Sequence, residues 1–196
     1  MLISPQIITQ IAQLKEQLRH HNHLYYVLDN PQISDAQYDD LFQQLKTLEQ
    51  LKSMRRAGLV VADTLKLIKH SAQIGMTTLD LNEIAVTNLA KHGAKSSFLG
   101  YHGFPAVICA SVNEEVVHGI PNKRKLVSGD LLSVDFGAII EDWHGDAAIS
   151  FGLGEIDPAD QKLMDVCEES MWRGIAAGKK GGKLTDISAA IEGYIN

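Results

Sequence analysis

Two aspartates in "SVDFGAIIEDWHGDAAISF", residues 133–151, are the residues whose type and spacing most suggest chemistry. A carboxylate is costly to bury without a partner, yet Asp135 and Asp146 sit in what reads as an apolar β-hairpin. If residues 139–142 form its loop, antiparallel pairing sets Asp135 directly across from Asp146 on one face. Opposed Cβ atoms lie about 4.5–5.5 Å apart, and like charges there repel. Two divalent cations roughly 3.5–4 Å apart would fill that gap, one carboxylate chelating and the other bridging. The same residues allow a plainer arrangement, with one aspartate exposed near the turn and the other capping it.

The elements that must position such a pair follow from local patterning. Ser4-Pro5 has the form of a helix start, with Ser as N-cap and Pro at the first helical position. Ile7, Ile11, Leu14 and Leu18 then recur at helical spacing towards Tyr25 and Tyr26. Pro31 breaks that helix. Ser34 and Gln37 form a capping box for a second helix, with Tyr38, Leu41, Leu45 and Leu48 on one face. No Gly or Pro follows before Gly58, so the second helix runs on or bends near residue 50. Another helix is expected from Thr78 as N-cap to Gly93 as C-cap, burying Leu81, Ile84 and Leu89. Short β-type runs occupy about 105–152, and helical spacing returns after Pro158. Helices, then strands, then helices, without βαβ alternation, predict an α+β fold with a largely antiparallel sheet.

Composition narrows the function classes. The chain has 196 residues, 45% of them hydrophobic, enough for one substantial core with a small appendage. Lys and Arg total 18 against 24 Asp and Glu, a net charge of -6, which argues against strong nucleic-acid binding. Two cysteines make no disulfide framework, and no long apolar run suggests a membrane span, so a cytoplasmic protein is expected. "GIAAGKKGGKL" lacks the Gly-Lys-Ser/Thr ending of a phosphate-binding loop.

The aspartates have recognisable surroundings. "KTLEQLKSMRRAG", "GYHGFP", "NEEVVHGIP", "SGDLLSVDFG" and "WHGDAAISF" occur in this order, and from about Lys46 to Asn196 the chain resembles type I methionine aminopeptidase. The resemblance implies a partial pita-bread fold, an antiparallel sheet backed by helices. It implies a metal-dependent hydrolase that removes N-terminal methionine from proteins with a pair of divalent ions (Co, Mn, Fe or Zn). It places Asp135 on the chelating and Asp146 on the bridging position. His118 falls on the histidine that contacts the scissile peptide, although His118 before Gly119 would also suit an exposed turn. Phe98, Tyr101, Phe104 and Cys109 fall on the wall of the methionine pocket, and His102 on a histidine nearby; ordinary core packing would use the same residue types. The family's Gly-His-Gly-Ile-Gly histidine has no counterpart, because no histidine follows His144, and the late glutamates Glu155, Glu168, Glu169 and Glu192 do not stand in the sequence context of the family's two. The chain stops on a helix pattern at "AAIEGYIN". The expectation is a truncated metallo-aminopeptidase with half of its metal ligands, weak metal binding and negligible activity by itself.

The first fifty residues point elsewhere. "LRHHNHLYYVLDNPQISDAQYDDLFQQLKTLE" resembles the N-terminal helical subdomain of bacterial NAD-dependent DNA ligase, which holds the nicotinamide mononucleotide half of NAD. That resemblance puts Tyr25, Tyr26, Asp35, Tyr38 and Asp39 at the nucleotide, where tyrosine faces suit a cationic ring. The alternative is hairpin core for Tyr25 and Tyr38 and first-turn helix charge for Asp35. Residues 51–196 have no counterpart of the ligase's adenylation domain, oligonucleotide-binding barrel or zinc module, which excludes ligation. The division expected is a helical hairpin over 1–50 and an aminopeptidase-like domain over 51–196, a chimera joined in helical phase at about Thr47 to Gln50. Uncovered apolar surfaces on both parts predict either intramolecular docking or, preferably, a homodimer.

Overall fold

The computed structural model describes residues 5–46 and 48–196, with the side chains at 5–8, 10, 11, 48, 49, 51 and 52 outside the description. The expected cap Ser4, the junction residue Thr47 and the side chains of Ile7, Ile11 and Leu48 therefore lie outside the described residues. Among the described residues six α-helices and four strands follow in order: α1 Pro5–Tyr26, α2 Asp35–Leu45, α3 Leu48–Ser71, α4 Thr78–His92, β1 Lys95–Ser96, β2 Ile108–Val112, β3 Leu131–Ile140, β4 Trp143–Gly152, α5 Pro158–Ala177 and α6 Leu184–Ile195. The α+β expectation holds, and every strand pairing is antiparallel. No helix among the described residues is long and apolar enough to cross a membrane. Two compact units are present, residues 50–166 and residues 1–49 with 167–196.

In residues 50–166, β4 pairs along the whole length of β3, so β1 and β2 share the other edge of β3. Period-two alternation sorts the side chains of β3. Leu132, Val134, Phe136, Ala138 and Ile140 are buried in one cluster with Ala57, Val60, Val61, Leu65 and Ile68 of α3 and Leu81, Ala85 and Leu89 of α4. Of the intervening residues, Leu131, Ser133, Asp135 and Ile139 are only partly covered and define an open face, while Gly137 on the same face is buried. The fit against α3 is close at Gly145 of β4, where a Cβ would come within 2.6 Å of the Gly58 nitrogen.

Helix ends follow capping chemistry, with two corrections. The Ser34–Gln37 capping box is present. At α4 the N-cap is Thr77 rather than Thr78, because Thr77 pairs reciprocally with Asp80. The Thr78 hydroxyl is instead engaged by Asn122, donating to its carbonyl (3.1 Å) and accepting from its N–H (2.8 Å). Gly93 closes α4 in the left-handed region, with φ of 62°. The second correction concerns the junction. Helical phase is not kept, since α2 stops at Leu45 and Lys46 is extended (φ -102°, ψ 110°). The Lys46 ammonium lies 3.6 Å from the centre of the Phe42 ring, a cation–π contact at that end.

Within the other unit, Leu14 and Leu18 of α1 bury against Leu45 of α2, with Tyr38 and Leu41 packed beside them. Among the described residues of the hairpin stripe, Leu14, Leu18, Leu41 and Leu45 thus pack against one another. In the same unit α6 packs on α5 at Gly174, where a Cβ would meet Ile191 Cδ1 at 2.8 Å.

The Gly145 contact makes a direct test. Gly145→Val should push β4 off α3 and destabilise the chain by roughly 1–3 kcal/mol, the usual cost of overpacking. Urea unfolding reads this, and a midpoint equal to the wild type would contradict the packing described.

Candidate active site and metal centre

The site begins at the β3–β4 turn. Glu141 and Asp142 both have positive φ (49° and 65°), the form of a two-residue type I′ hairpin turn. Ile140 consequently pairs with Trp143, Asp135 with Ala148, and Asp146 with Gly137. The expected direct opposition of Asp135 and Asp146 is corrected by this register. The loop has two residues rather than four, and the pairing shifts by two positions. A shift of two preserves the face, so the aspartates become diagonal neighbours on the open side, within reach of each other.

Burial, then the charge of Asp146 and the approach of its carboxyl, push Asp135 up to about 6, against weaker opposing effects of the Phe136 backbone and His118. The Cys109 thiol is raised to about 11, first by burial and then by the two aspartates. A cation would relieve both effects, and paired carboxylates are the oxygen donors that hard divalent ions accept. The donor set is nonetheless small: among the described residues no group of three or more His, Cys, Asp or Glu could hold a metal.

Two loops complete the cleft. His118 has a φ of 59° and precedes Gly119, whose carbonyl accepts from the Ala110 N–H (2.8 Å) and whose N–H donates to Ser111 Oγ (3.0 Å). Gly119 thereby docks on β2, and a Cβ there would collide with the Ala110 backbone. Buried Asp130 anchors the other end of this loop, accepting from Asn113 Nδ2 (2.9 Å) and the Val127 N–H (2.8 Å). The second loop follows β1. Ser96 Oγ accepts from the N–H groups of Phe98 and Leu99 (3.0 Å each), turning the chain so that Phe98 and Phe104 meet edge to face at 6.5 Å. His102, at φ 47°, lies beside the Tyr101 ring at 4.4 Å.

An open cleft of about 780 Å³ results, and it brings together Phe98, Tyr101, His102, Phe104, Cys109, His118, Asp135 and Asp146. Ser97, Ile120 and His144 also line it and were not anticipated. His144 was findable, because it stands two residues before Asp146 and strand alternation puts both on one face. A second, narrower cleft of about 60 Å³ lies in the other unit, lined by Tyr25, Tyr26, Asp35 and Tyr38 with His21 and Leu184 among others. Asp39 is exposed and does not line it.

Comparison with known proteins places these features. Residues 52–196 match the model of metallopeptidase family M24, and residues 4–55 match that of the DNA ligase-like N-terminal NAD+-binding domain. Over 144 residues the chain is 49% identical to methionine aminopeptidase 1 of Mycobacterium tuberculosis, covering 73% of this chain and 54% of that protein. Methionine aminopeptidase 1 of Bacillus subtilis is 45% identical over 150 residues, covering 76% and 60%. The crystal structure of methionine aminopeptidase from Rickettsia prowazekii superposes with a TM-score of 0.72 at 35% identity, covering 76% of this chain and 60% of that one. The chain thus spans little more than half the length of these relatives, and its fold is a partial pita-bread arrangement.

The raised Asp135 sets a pH signature. Its folded pKa of about 6 exceeds the ordinary 3.8, so its stabilising protonation is complete below about pH 4 and lost as pH rises through 6. Without metal, Asp146→Asn should therefore stabilise the chain at pH 7.5, by up to roughly 1 kcal/mol, and less at pH 4.5. Urea unfolding at both pH values checks this, and an equal effect at the two would count against charge repulsion.

Proposed function

The chain belongs to metallopeptidase family M24, whose model spans residues 52–196, and we propose from this that its cleft is a methionine aminopeptidase site for peptides with N-terminal methionine. The observation that carries the reading is the pair Asp135 and Asp146 lining one aromatic cleft with His118. Phe98, Tyr101, Phe104 and Cys109 would seat the thioether, which suits soft apolar walls. Asp135 and Asp146 would hold divalent ions, Co, Mn, Fe or Zn, as chelating and bridging carboxylates. Bound there, such ions would polarise the scissile carbonyl and acidify a water. His118, fixed by the docking of Gly119 on β2, would donate a hydrogen bond to the scissile peptide, with His102 close by. The two carboxylates leave most of the coordination to water, so this chain would bind metal weakly and turn over negligibly.

Two further parts of the reading concern the rest of the molecule. Residues 1–50 and 51–196 are taken as modules of separate ancestry, in line with the two family matches. Leu163, Met171 and Ile175 of α5 are exposed at helical spacing, which supports a homodimer, and the acidic chain with few cysteines fits a cytoplasmic setting.

Titration calorimetry with Mn²⁺ tests the metal site. Weak binding is expected in the wild type, reduced in Asp146→Asn, together with negligible hydrolysis of Met-Ala-Ser. Absence of metal-dependent heat would remove the site, and chelator-sensitive turnover near that of an intact enzyme would refute the account of the donor set.

A second reading applies to the hairpin, where the tyrosine-lined cleft with Asp35 favours weak binding of a nicotinamide mononucleotide. The stacking of the rings on the cationic nicotinamide would carry it. Nicotinamide mononucleotide should perturb the Tyr25 and Tyr38 resonances in the wild type, with Tyr38→Ala abolishing saturable binding; no saturable shift in the wild type would end this reading.

A further inference from the structure

One hydrogen bond in the large cleft has no part in either metal coordination or the thioether pocket. Ser97 Oγ and His144 Nδ1 lie 2.9 Å apart. Ser97 is seated from both directions: its N–H donates to the Gly137 carbonyl (3.0 Å), and its side chain lies directly over Gly137. A Cβ at Gly137 would approach Ser97 Cβ to 2.7 Å and Phe98 Cε1 to 2.9 Å, so the bare glycine makes the seat. Gly137 is also the cross-strand partner of Asp146, while His144 pairs with Ile139. Ser97, Gly137, His144 and Asp146 therefore form one patch of the open face, with Ser97, His144 and Asp146 on the cleft wall.

We propose that Ser97 is a positioning residue that holds His144 as its Nε2–H tautomer, making His144 a hydrogen-bond donor on the cleft wall for a main-chain carbonyl oxygen of a bound peptide. The identity of that ligand rests on the aminopeptidase reading above; the Ser97–His144 assignment does not. A neutral imidazole has one N–H and one lone pair, and the hydrogen bond at one nitrogen fixes which remains at the other. The Ser97 hydroxyl makes no other side-chain hydrogen bond among the described residues, so no other side chain competes for its proton, and in the arrangement proposed it donates to Nδ1. The proton of the ring then resides on Nε2. His102 and His118 are carried on loops with positive φ, whereas His144 is carried on a paired strand, the more rigid support for a directional contact.

The test uses the whole chain, labelled with ¹⁵N-histidine, metal-free at pH 8. Two-bond ¹H–¹⁵N correlation should show His144 as the Nε2–H tautomer, assigned by the loss of its signals in His144→Gln. Ser97→Ala should mix the tautomers, and Ser97→Thr should restore the wild-type pattern. An Nδ1–H tautomer in the wild type, or one indifferent to Ser97→Ala, overturns the positioning role. The peptide arm titrates Met-Ala-Ser. Ser97→Ala and His144→Ala should each weaken binding roughly three- to tenfold, the scale of one neutral hydrogen bond. The double variant should bind no worse than His144→Ala, and His144→Gln, which keeps an N–H donor at that reach, should stay within about twofold of the wild type. Unchanged affinity in His144→Ala overturns the donor role. No saturable binding of Met-Ala-Ser by the wild type overturns both the donor role and the methionine-peptide reading, while the tautomer still decides the part played by Ser97.

Discussion

The cleft depends first on the two-residue turn at Glu141–Asp142. A type I′ turn needs positive φ at both central positions and is ordinarily built from Asn-Gly or Gly-Gly. Here two residues with full side chains adopt it, each at a cost on the order of 1 kcal/mol. What holds them is visible in the contacts of Glu141, which accepts from Ser53 Oγ at 2.6 Å and from Arg56 Nη1 at 2.8 Å. Those bonds keep the Glu141 carboxyl below its ordinary range. One helix thus determines a hairpin register, and the register determines which side chains share a face with Asp135.

The same helix sets the distance between the layers. Gly145 brings the β4 backbone against α3 at Ala57 and Gly58, and two residues before it Trp143 closes the ladder with Ile140. The open face behind this contact is then populated by alternation alone: Asp135 and Gly137 on β3, His144 and Asp146 on β4. The absence of a side chain at Gly137 admits Ser97 and Phe98, linking the apolar wall of the cleft to its polar floor. The Asp146 charge raises Asp135, so the pair favours whatever brings positive charge or a hydrogen-bond donor to that floor.

Much of this was legible in the residues, for reasons that can be separated. The face shared by Asp135 and Asp146 survived an incorrect loop length because a register error of two leaves period-two alternation intact. The loop itself was unreadable, since Glu-Asp carries no turn signal and its stabilising partners Ser53 and Arg56 are 88 and 85 residues away in sequence. The Ser34–Gln37 box was readable because both partners are local. The α4 start was misplaced by one residue because Thr77 and Thr78 are equally good caps until Asn122 claims the Thr78 hydroxyl. The end of α2 at Leu45 has no Gly or Pro to announce it. Ser97 was invisible for a different reason: a lone serine before a phenylalanine gains meaning only when Gly137 and His144 are brought beneath it.

These constraints bear on how two families can meet in one chain. The two family matches overlap only at residues 52–55, inside α3. Ser53 falls within that overlap, and Arg56, Ala57 and Gly58 follow immediately, so the residues that fix the β3–β4 turn and seat Gly145 begin where the second match begins. A junction placed any later would exchange the side chains that hold Glu141 and would release the register on which Asp135 and Asp146 depend. A junction placed earlier would cut into α2, whose Leu45 closes the hairpin core with Leu14 and Leu18. The extended residue Lys46 lies between these two requirements.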